Sequence, residues 1–170
     1  MQKSEVLFIG GRAGVGKTRV ALGLHEQLFA QRVEHCVIEG DNLDLAYPRP
    51  WEHGLAEKNL ADMWRNYRSL GYRRLVYTNT VSVLETESLA AAMGDAPLVK
   101  AVLLGASDAT AARRLEGRET ATTLQLHLDR SRERAAELEQ KTPPWVHRIG
   151  TDGRSVPTVA CEILELLGWS

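Results

Sequence analysis

Short apolar runs alternate with stretches of helical periodicity along the whole chain. Runs at residues 5–9, 35–39, 73–77, 98–104 and 145–149 have the length and β-branched or aromatic content of buried strands, and most are followed by Gly, Pro, Asn or Thr. Between them, apolar residues recur three and four apart. Val20, Leu24 and Leu28 predict a helix over 17–31, and Leu60, Met63 or Trp64, Tyr67 and Leu70 mark one face of a helix within 52–70, with Gly71 as its stop. Further helices are expected at 85–93, 108–116, 124–140 and 156–167, the fifth of the six ending at Pro143-Pro144. Strands that alternate with helices predict a parallel sheet covered by helices. A chain of 170 residues without repeats, linker or low-complexity tract predicts a single domain over 1–170.

Composition narrows the surroundings of this domain. The chain carries 21 basic and 22 acidic residues, so no global field favours nucleic acid or a membrane surface as partner. No run approaches the ~20 apolar residues of a membrane span, and residues 1–11 lack the apolar core of a signal peptide. The five histidines form no metal-ligand spacing with Cys36 or Cys161. The two cysteines, one in a predicted strand and one in a predicted helix, are expected to be buried reduced thiols of a cytoplasmic protein.

Candidate chemistry begins where the first apolar run breaks into glycines. Gly11-Arg12-Ala13-Gly14-Val15-Gly16-Lys17-Thr18 satisfies G-x-x-x-x-G-K-[ST], with the strand before it and the helix after it that this motif requires. Glycines let the backbone wrap a polyphosphate so that successive N–H groups point inward, and the helix starting near Gly16 aims its positive end at the same anion. Lys17 then reaches the outer phosphates and the Thr18 hydroxyl ligates Mg²⁺.

Two further groups of residues gain meaning beside this loop. Glu39 and Asp41 stand at the predicted carboxyl end of the second strand, where open α/β sheets bind ligands. If the strand continues through Gly40, both carboxylates point the same way, one toward Mg²⁺ and one toward the proton of an attacking hydroxyl; alternatively, Asp41-Asn42 is a turn. Arg114 and Arg118 lie four apart on one helix face and can meet a single anion, with a lid at about 117–123 delivering them to a transferring phosphoryl group. Arg113 reads equally well as a surface charge. The mixed-sign run 129–134 reads as an exposed, salt-bridged face, from which only Arg130 or Arg132 could return toward the phosphates. In Tyr47-Pro48-Arg49-Pro50-Trp51 the prolines forbid a regular element, and the aromatics either wall a substrate pocket or pack the loop onto the next helix. No N-K-x-D guanine signature occurs, and the third strand lacks the aspartate that ends it in many ATPases.

The order GGRAGVGKT, EGDN, RRLEGR and TDGRSV resembles the P-loop small-molecule kinases of the nucleoside-monophosphate-kinase-like group. EGDN followed by AEKN is most similar to adenylyl-sulfate kinases, and the lid resembles that of gluconate and shikimate kinases. The resemblance implies a three-layer α/β/α P-loop fold with a five-stranded parallel sheet in the order 2-3-1-4-5. It also implies ATP and Mg²⁺ as cofactors and transfer of the γ-phosphoryl group to a hydroxyl of a small-molecule acceptor. Asp41 matches the acid that contacts or deprotonates the acceptor, Arg114 and Arg118 match the lid arginines, and Asp152, Gly153 and Arg154 lie where adenine is held. Contacts to the acceptor are expected from Asp41, Arg49, Trp51, Glu57, Asn59 and Asn79. Glu39 replaces the usual first aspartate, and the YPRPW stretch has no counterpart, so the acceptor stays open between a metabolite and an antibiotic. The rival expectation is a slow regulatory ATPase that acts through a protein partner.

Overall fold

A computed structural model describes residues 3–116 and 121–169. Five strands, β1 (Glu5–Gly10), β2 (Cys36–Glu39), β3 (Arg74–Thr78), β4 (Leu98–Gly105) and β5 (His147–Gly150), form one sheet in the order β2-β3-β1-β4-β5. Every neighbouring pair is parallel, as the strand and helix alternation predicts. Six helices cover it: α1 (Lys17–Ala30), α2 (Leu55–Ser69), α3 (Thr86–Met93), α4 (Asp108–Glu116), α5 (Ala121–Lys141) and α6 (Val156–Leu167).

The pleat explains the three layers. In β1, Leu7 and Ile9 face a core shared with Val20, Leu24 and Leu28 of α1 and Val159 and Ile163 of α6. Val6 and Phe8 face a second core with Leu60 and Trp64 of α2 and Leu89 and Met93 of α3. Because both faces of the sheet are covered, its strands are apolar at consecutive positions, where a one-sided sheet would alternate. Within the first of these layers α1 and α6 pack closely: a Cβ on Gly23 of α1 would lie 2.6 Å from Val156 Cγ1 of α6.

Element boundaries differ from the sequence expectations by a few residues, chiefly at the two ends of α2. α2 begins at Leu55, after a separate turn at Trp51–His53 and Gly54 in the left-handed region (φ 57°), so the tryptophan lies outside the helix. Leu70, expected at the end of the α2 apolar face, is 77% exposed because the helix has already closed at Ser69. Cys161 is also exposed on the outer face of α6, contrary to the expectation of two buried thiols. Cys36 is buried in β2, and burial pushes its thiol up to about 12. Among the described residues, no helix is long and apolar enough to cross a membrane.

Candidate active site

The loop between β1 and α1 lies at the carboxyl edge of the central strand. Gly14 and Gly16 take positive φ (88° and 98°), and a Cβ on Gly14 would lie 2.8 Å from the Ala111 carbonyl oxygen of α4, so only glycine fits there. The loop is tied to its neighbours on both sides. Gly11 N–H donates to Thr80 O (3.0 Å) beyond β3, and Thr151 Oγ1 donates to Val15 O (3.0 Å) from beyond β5. Lys17 Nζ donates to Gly11 O (2.7 Å) and Arg12 O (3.3 Å), which holds the ammonium over the loop. Arg12 itself turns inward: its guanidinium is buried and reaches Asp108 Oδ1 (2.6 Å) and Ala106 O (3.2 Å).

The expected parallel aim of Glu39 and Asp41 is not observed. β2 ends at Glu39, and Gly40–Asn42 form a turn of 3₁₀ helix, so the two carboxylates diverge. Thr18 Oγ1 donates to Glu39 Oε1 at 2.5 Å, which places one hydroxyl and one carboxylate together at the start of α1. This is a hard-oxygen donor set of the kind Mg²⁺ takes. Asp41 faces the neighbouring cleft and accepts from the Thr80 N–H. The protein around it pushes its carboxyl above the usual aspartate range; Lys17 and the Thr80 amide oppose that shift, and Glu39 and Asp44 add to it.

Asp41 opens onto a cavity of about 900 Å³. Arg49, Trp51, Glu57 and Asn79 all line it, so most of the expected acceptor contacts converge. The Arg49 guanidinium sits 4.6 Å from the centroid of the Trp51 ring, which makes Trp51 a wall of the cavity, whereas Tyr47 is 99% exposed. Asn59 is not brought there: its Nδ2 donates to Leu43 O (2.6 Å) and ties α2 to the chain after β2. The sequence did not mark Asp44, Tyr77, Glu85, His127 or Arg134 as site residues, yet all of them line the same cavity. They come from four separate segments, His127 and Arg134 sharing α5, and no local motif joins them.

The arginine expectations divide. Arg114 reaches Gly14 O (3.1 Å), Val15 O (3.0 Å) and Thr151 Oγ1 (3.0 Å) through Nη1, and Thr151 O (3.3 Å) through Nη2. It therefore braces the loop from behind, and acting on a phosphoryl group would require it to exchange these partners. Arg118 and most of the expected lid lie outside the described residues. Arg130 lines the cavity beside Ser131, whose hydroxyl donates to Ala13 O (3.1 Å), while Arg132 pairs with Asp108 (3.6 Å). Arg113 donates to Thr110 Oγ1 (3.2 Å) on its own helix.

The loop at 152–154 is used within the protein. Asp152 accepts from Ser107 N–H (2.9 Å) and Oγ (2.8 Å) ahead of α4; hydrogen bonds from Thr110 and Ser107 hold its carboxyl below the usual range. Arg154 pairs with Glu162 and donates to Gly150 O, and Gly153 makes the turn between them. None of the three lines the cavity that Asp41 opens onto.

No protein-family model and no curated protein matches the sequence. Solved structures do match in fold. A tunicamycin resistance protein of Deinococcus radiodurans superposes with a TM-score of 0.67 at 22% identity, covering 99% of this chain and 98% of that one. The APS kinase of Mycobacterium tuberculosis, solved in complex with AMPPNP and APS, gives 0.62 at 21% identity, covering 99% of each chain. The shikimate kinase of Acinetobacter baumannii in complex with shikimate gives 0.64 at 14% identity, over 96% of this chain and 93% of that one. With its five parallel strands in the order β2-β3-β1-β4-β5 flanked by helices, the chain has the fold of the P-loop small-molecule kinases.

Proposed function

We propose that the protein transfers the γ-phosphoryl group of ATP to a hydroxyl of a small molecule. The observation that carries this reading is the placement of Asp41. Its carboxylate stands between the phosphate loop and a cavity large enough for a small acceptor, within the electrostatic reach of Lys17. Lys17 and the loop amides hold the triphosphate, and the Thr18 hydroxyl with Glu39 holds Mg²⁺, whose charge neutralises the phosphate oxygens. Asp41 accepts the proton of the acceptor hydroxyl. The acceptor oxygen bonds to the γ-phosphorus as the bond to the β,γ-bridging oxygen breaks, so that ATP and an alcohol become ADP, a phosphate monoester and a proton. A partly desolvated carboxylate suits this role, since its raised pKa makes it a better base than an aspartate in water.

Two variants test the reading. Lys17→Ala is expected to abolish thermal stabilisation by Mg·ATP, and unchanged stabilisation would remove the claim of a triphosphate site. Asp41→Asn is expected to keep nucleotide binding and lower phosphoryl transfer by about 10²–10⁴. Mass detection across a panel of metabolites and antibiotics identifies the acceptor. The exposed Leu45, Tyr47 and Trp51 favour a second reading, a regulatory ATPase that docks a protein through this surface. ATP turnover that no small molecule alters would select it.

A further inference from the structure

The charged run at residues 129–134 contains one residue that does not belong to an exposed face. Ser131 is only 5% exposed. It shares the inward stripe of α5 with Ala135 and Leu138, four and seven positions further on, where an apolar side chain would be the ordinary filling. In the middle of a helix a serine hydroxyl commonly bonds back to the carbonyl four residues earlier. The Ser131 hydroxyl instead donates to Ala13 O (3.1 Å), across 118 positions of chain. Both residues line the cavity that Asp41 opens onto, so this contact stands where the glycine-rich loop meets the acceptor side.

The contact completes a set. Arg114 Nη1 donates to Gly14 O and Val15 O, and Thr151 Oγ1 also donates to Val15 O. Three consecutive carbonyls of the loop are therefore held from α4, from α5 and from the chain after β5. A trans peptide is planar, with its N–H and C=O directed oppositely, and the only cis bond among the described residues is Tyr47-Pro48. Fixing the carbonyls of Ala13, Gly14 and Val15 thus turns the N–H groups of Gly14, Val15 and Gly16 away from the three side chains that hold them. Val15 N–H bends back to Arg12 O at 3.4 Å, whereas the N–H groups of Gly14 and Gly16 donate to no acceptor among the described residues. Unpartnered amides on the face opposite their braces are the elements of an anion cradle.

We propose that Ser131 is a positioning residue of the triphosphate site: by holding the Ala13 carbonyl, it aims the Gly14 N–H at a phosphate oxygen of the bound nucleotide. This rests on the triphosphate site of the phosphotransferase reading and adds to it a residue far outside the glycine motif. Arg114 does the same for the next two peptides, but its removal also takes a positive charge from the site. Ser131 is neutral, so its loss changes the orientation of one peptide and little else. Alanine at this position is smaller and the better helix former, so α5 is retained. Without the hydroxyl, the Ala13–Gly14 peptide is free to rotate, and the triphosphate must fix it on binding.

Calorimetric titration with Mg·AMPPNP and with Mg·tripolyphosphate, on the wild-type protein and on Ser131→Ala, tests the proposal. The variant loses one neutral hydrogen bond, and it is expected to bind both ligands about three- to tenfold more weakly while its Tm falls by no more than about 4 °C. Tripolyphosphate has no base or ribose, so an equal loss for the two ligands locates the effect at the phosphates. A second readout needs no ligand. In proton–nitrogen correlation spectra of the free protein, the Gly14 amide signal is expected to broaden in Ser131→Ala as its peptide samples both orientations, while the signals of α6 stay as they are, a contrast that general loosening of the fold does not produce. Affinities within about twofold of wild type for both ligands, a loss confined to AMPPNP, or a Gly14 signal that the substitution leaves unchanged overturns the proposal. If the wild-type protein binds neither Mg·AMPPNP nor Mg·tripolyphosphate, the triphosphate site itself fails and the present inference fails with it.

Discussion

Gly40→Ala places a single methyl group where the fold has no room for it. Built on the existing backbone, the new Cβ would lie 2.2 Å from Tyr77 Oη, 2.3 Å from Cζ and 2.7 Å from Cε1. Tyr77 cannot swing aside freely, being wholly buried and packed edge-on against Phe8 with ring centroids 5.6 Å apart. Gly40 does not have a left-handed φ, so the cost is steric and comes from overpacking. Such insertions cost about 1–3 kcal/mol. For a chain of this size each kcal/mol lowers Tm by about 2–4 °C, so the expected loss is about 2–12 °C. The strain must be relieved by moving the β2 turn, which carries Asp41, and phosphoryl transfer should therefore fall more than stability alone explains. A double-mutant cycle, read by calorimetry, isolates the contact. In a Tyr77→Phe background Cζ and Cε1 remain and the cost of Gly40→Ala should persist, whereas in Tyr77→Leu most of it should disappear, a coupling of about 1–2 kcal/mol. An unchanged Tm for Gly40→Ala, or equal costs in the Phe and Leu backgrounds, would refute the steric reasoning.

The remaining predictions concern the loop and its acids. Arg114→Lys loses the fork that meets Gly14, Val15 and Thr151; it should destabilise by about 1–2 kcal/mol and raise the ATP KM about tenfold, with the acceptor KM much less affected. Thr18→Val removes the hydroxyl hydrogen-bonded to Glu39, and Mg²⁺ titrations of transfer should show a higher half-saturation for it; Glu39→Gln should add little once Thr18 is gone, because the two act at one position. For Asp41 the folded carboxyl titrates above the ordinary value of 3.8, so the folded state holds the proton more tightly than the unfolded chain does. Stability from this residue therefore falls as pH rises through the interval between the two, and Asp41→Asn should flatten that part of the Tm profile and leave Tm at pH 7 equal or higher. The acid limb of kcat/KM in the wild-type protein should lie correspondingly above pH 3.8.

Much of the architecture was legible because it is written locally. The apolar runs, the helix periodicities and the glycines of 11–18 each depend on neighbours a few residues away, and they specify strands, helices and a glycine-rich strand-to-helix loop before any tertiary contact is known. The strand order was not local. It followed from a resemblance carried by four short motifs, and the parallel register bears it out.

What the sequence left open at these residues has a common physical cause, which is that direction is a three-dimensional property. Glu39 and Asp41 were legible as acids at a strand end, but whether they point together depends on whether the strand continues past Gly40, and the turn that ends it is packed against Tyr77, 37 positions further along the chain. Arg114 was legible as a cation near phosphate; which oxygens it takes was decided by the carbonyls of Gly14, Val15 and Thr151, brought to it by β1 and β5. Asn59 and Asp152 were polar in suggestive places, and tertiary contacts commit both to holding the backbone. Ser131 was hidden for the same reason: the charges around it read as an exposed face, and only the packing of α5 turns its hydroxyl to Ala13. Sequence alone determined that this chain builds a parallel sheet with a glycine-rich loop at the carboxyl end of its central strand. The set of side chains around that loop exists only after folding, because it is assembled from residues that no local spacing connects.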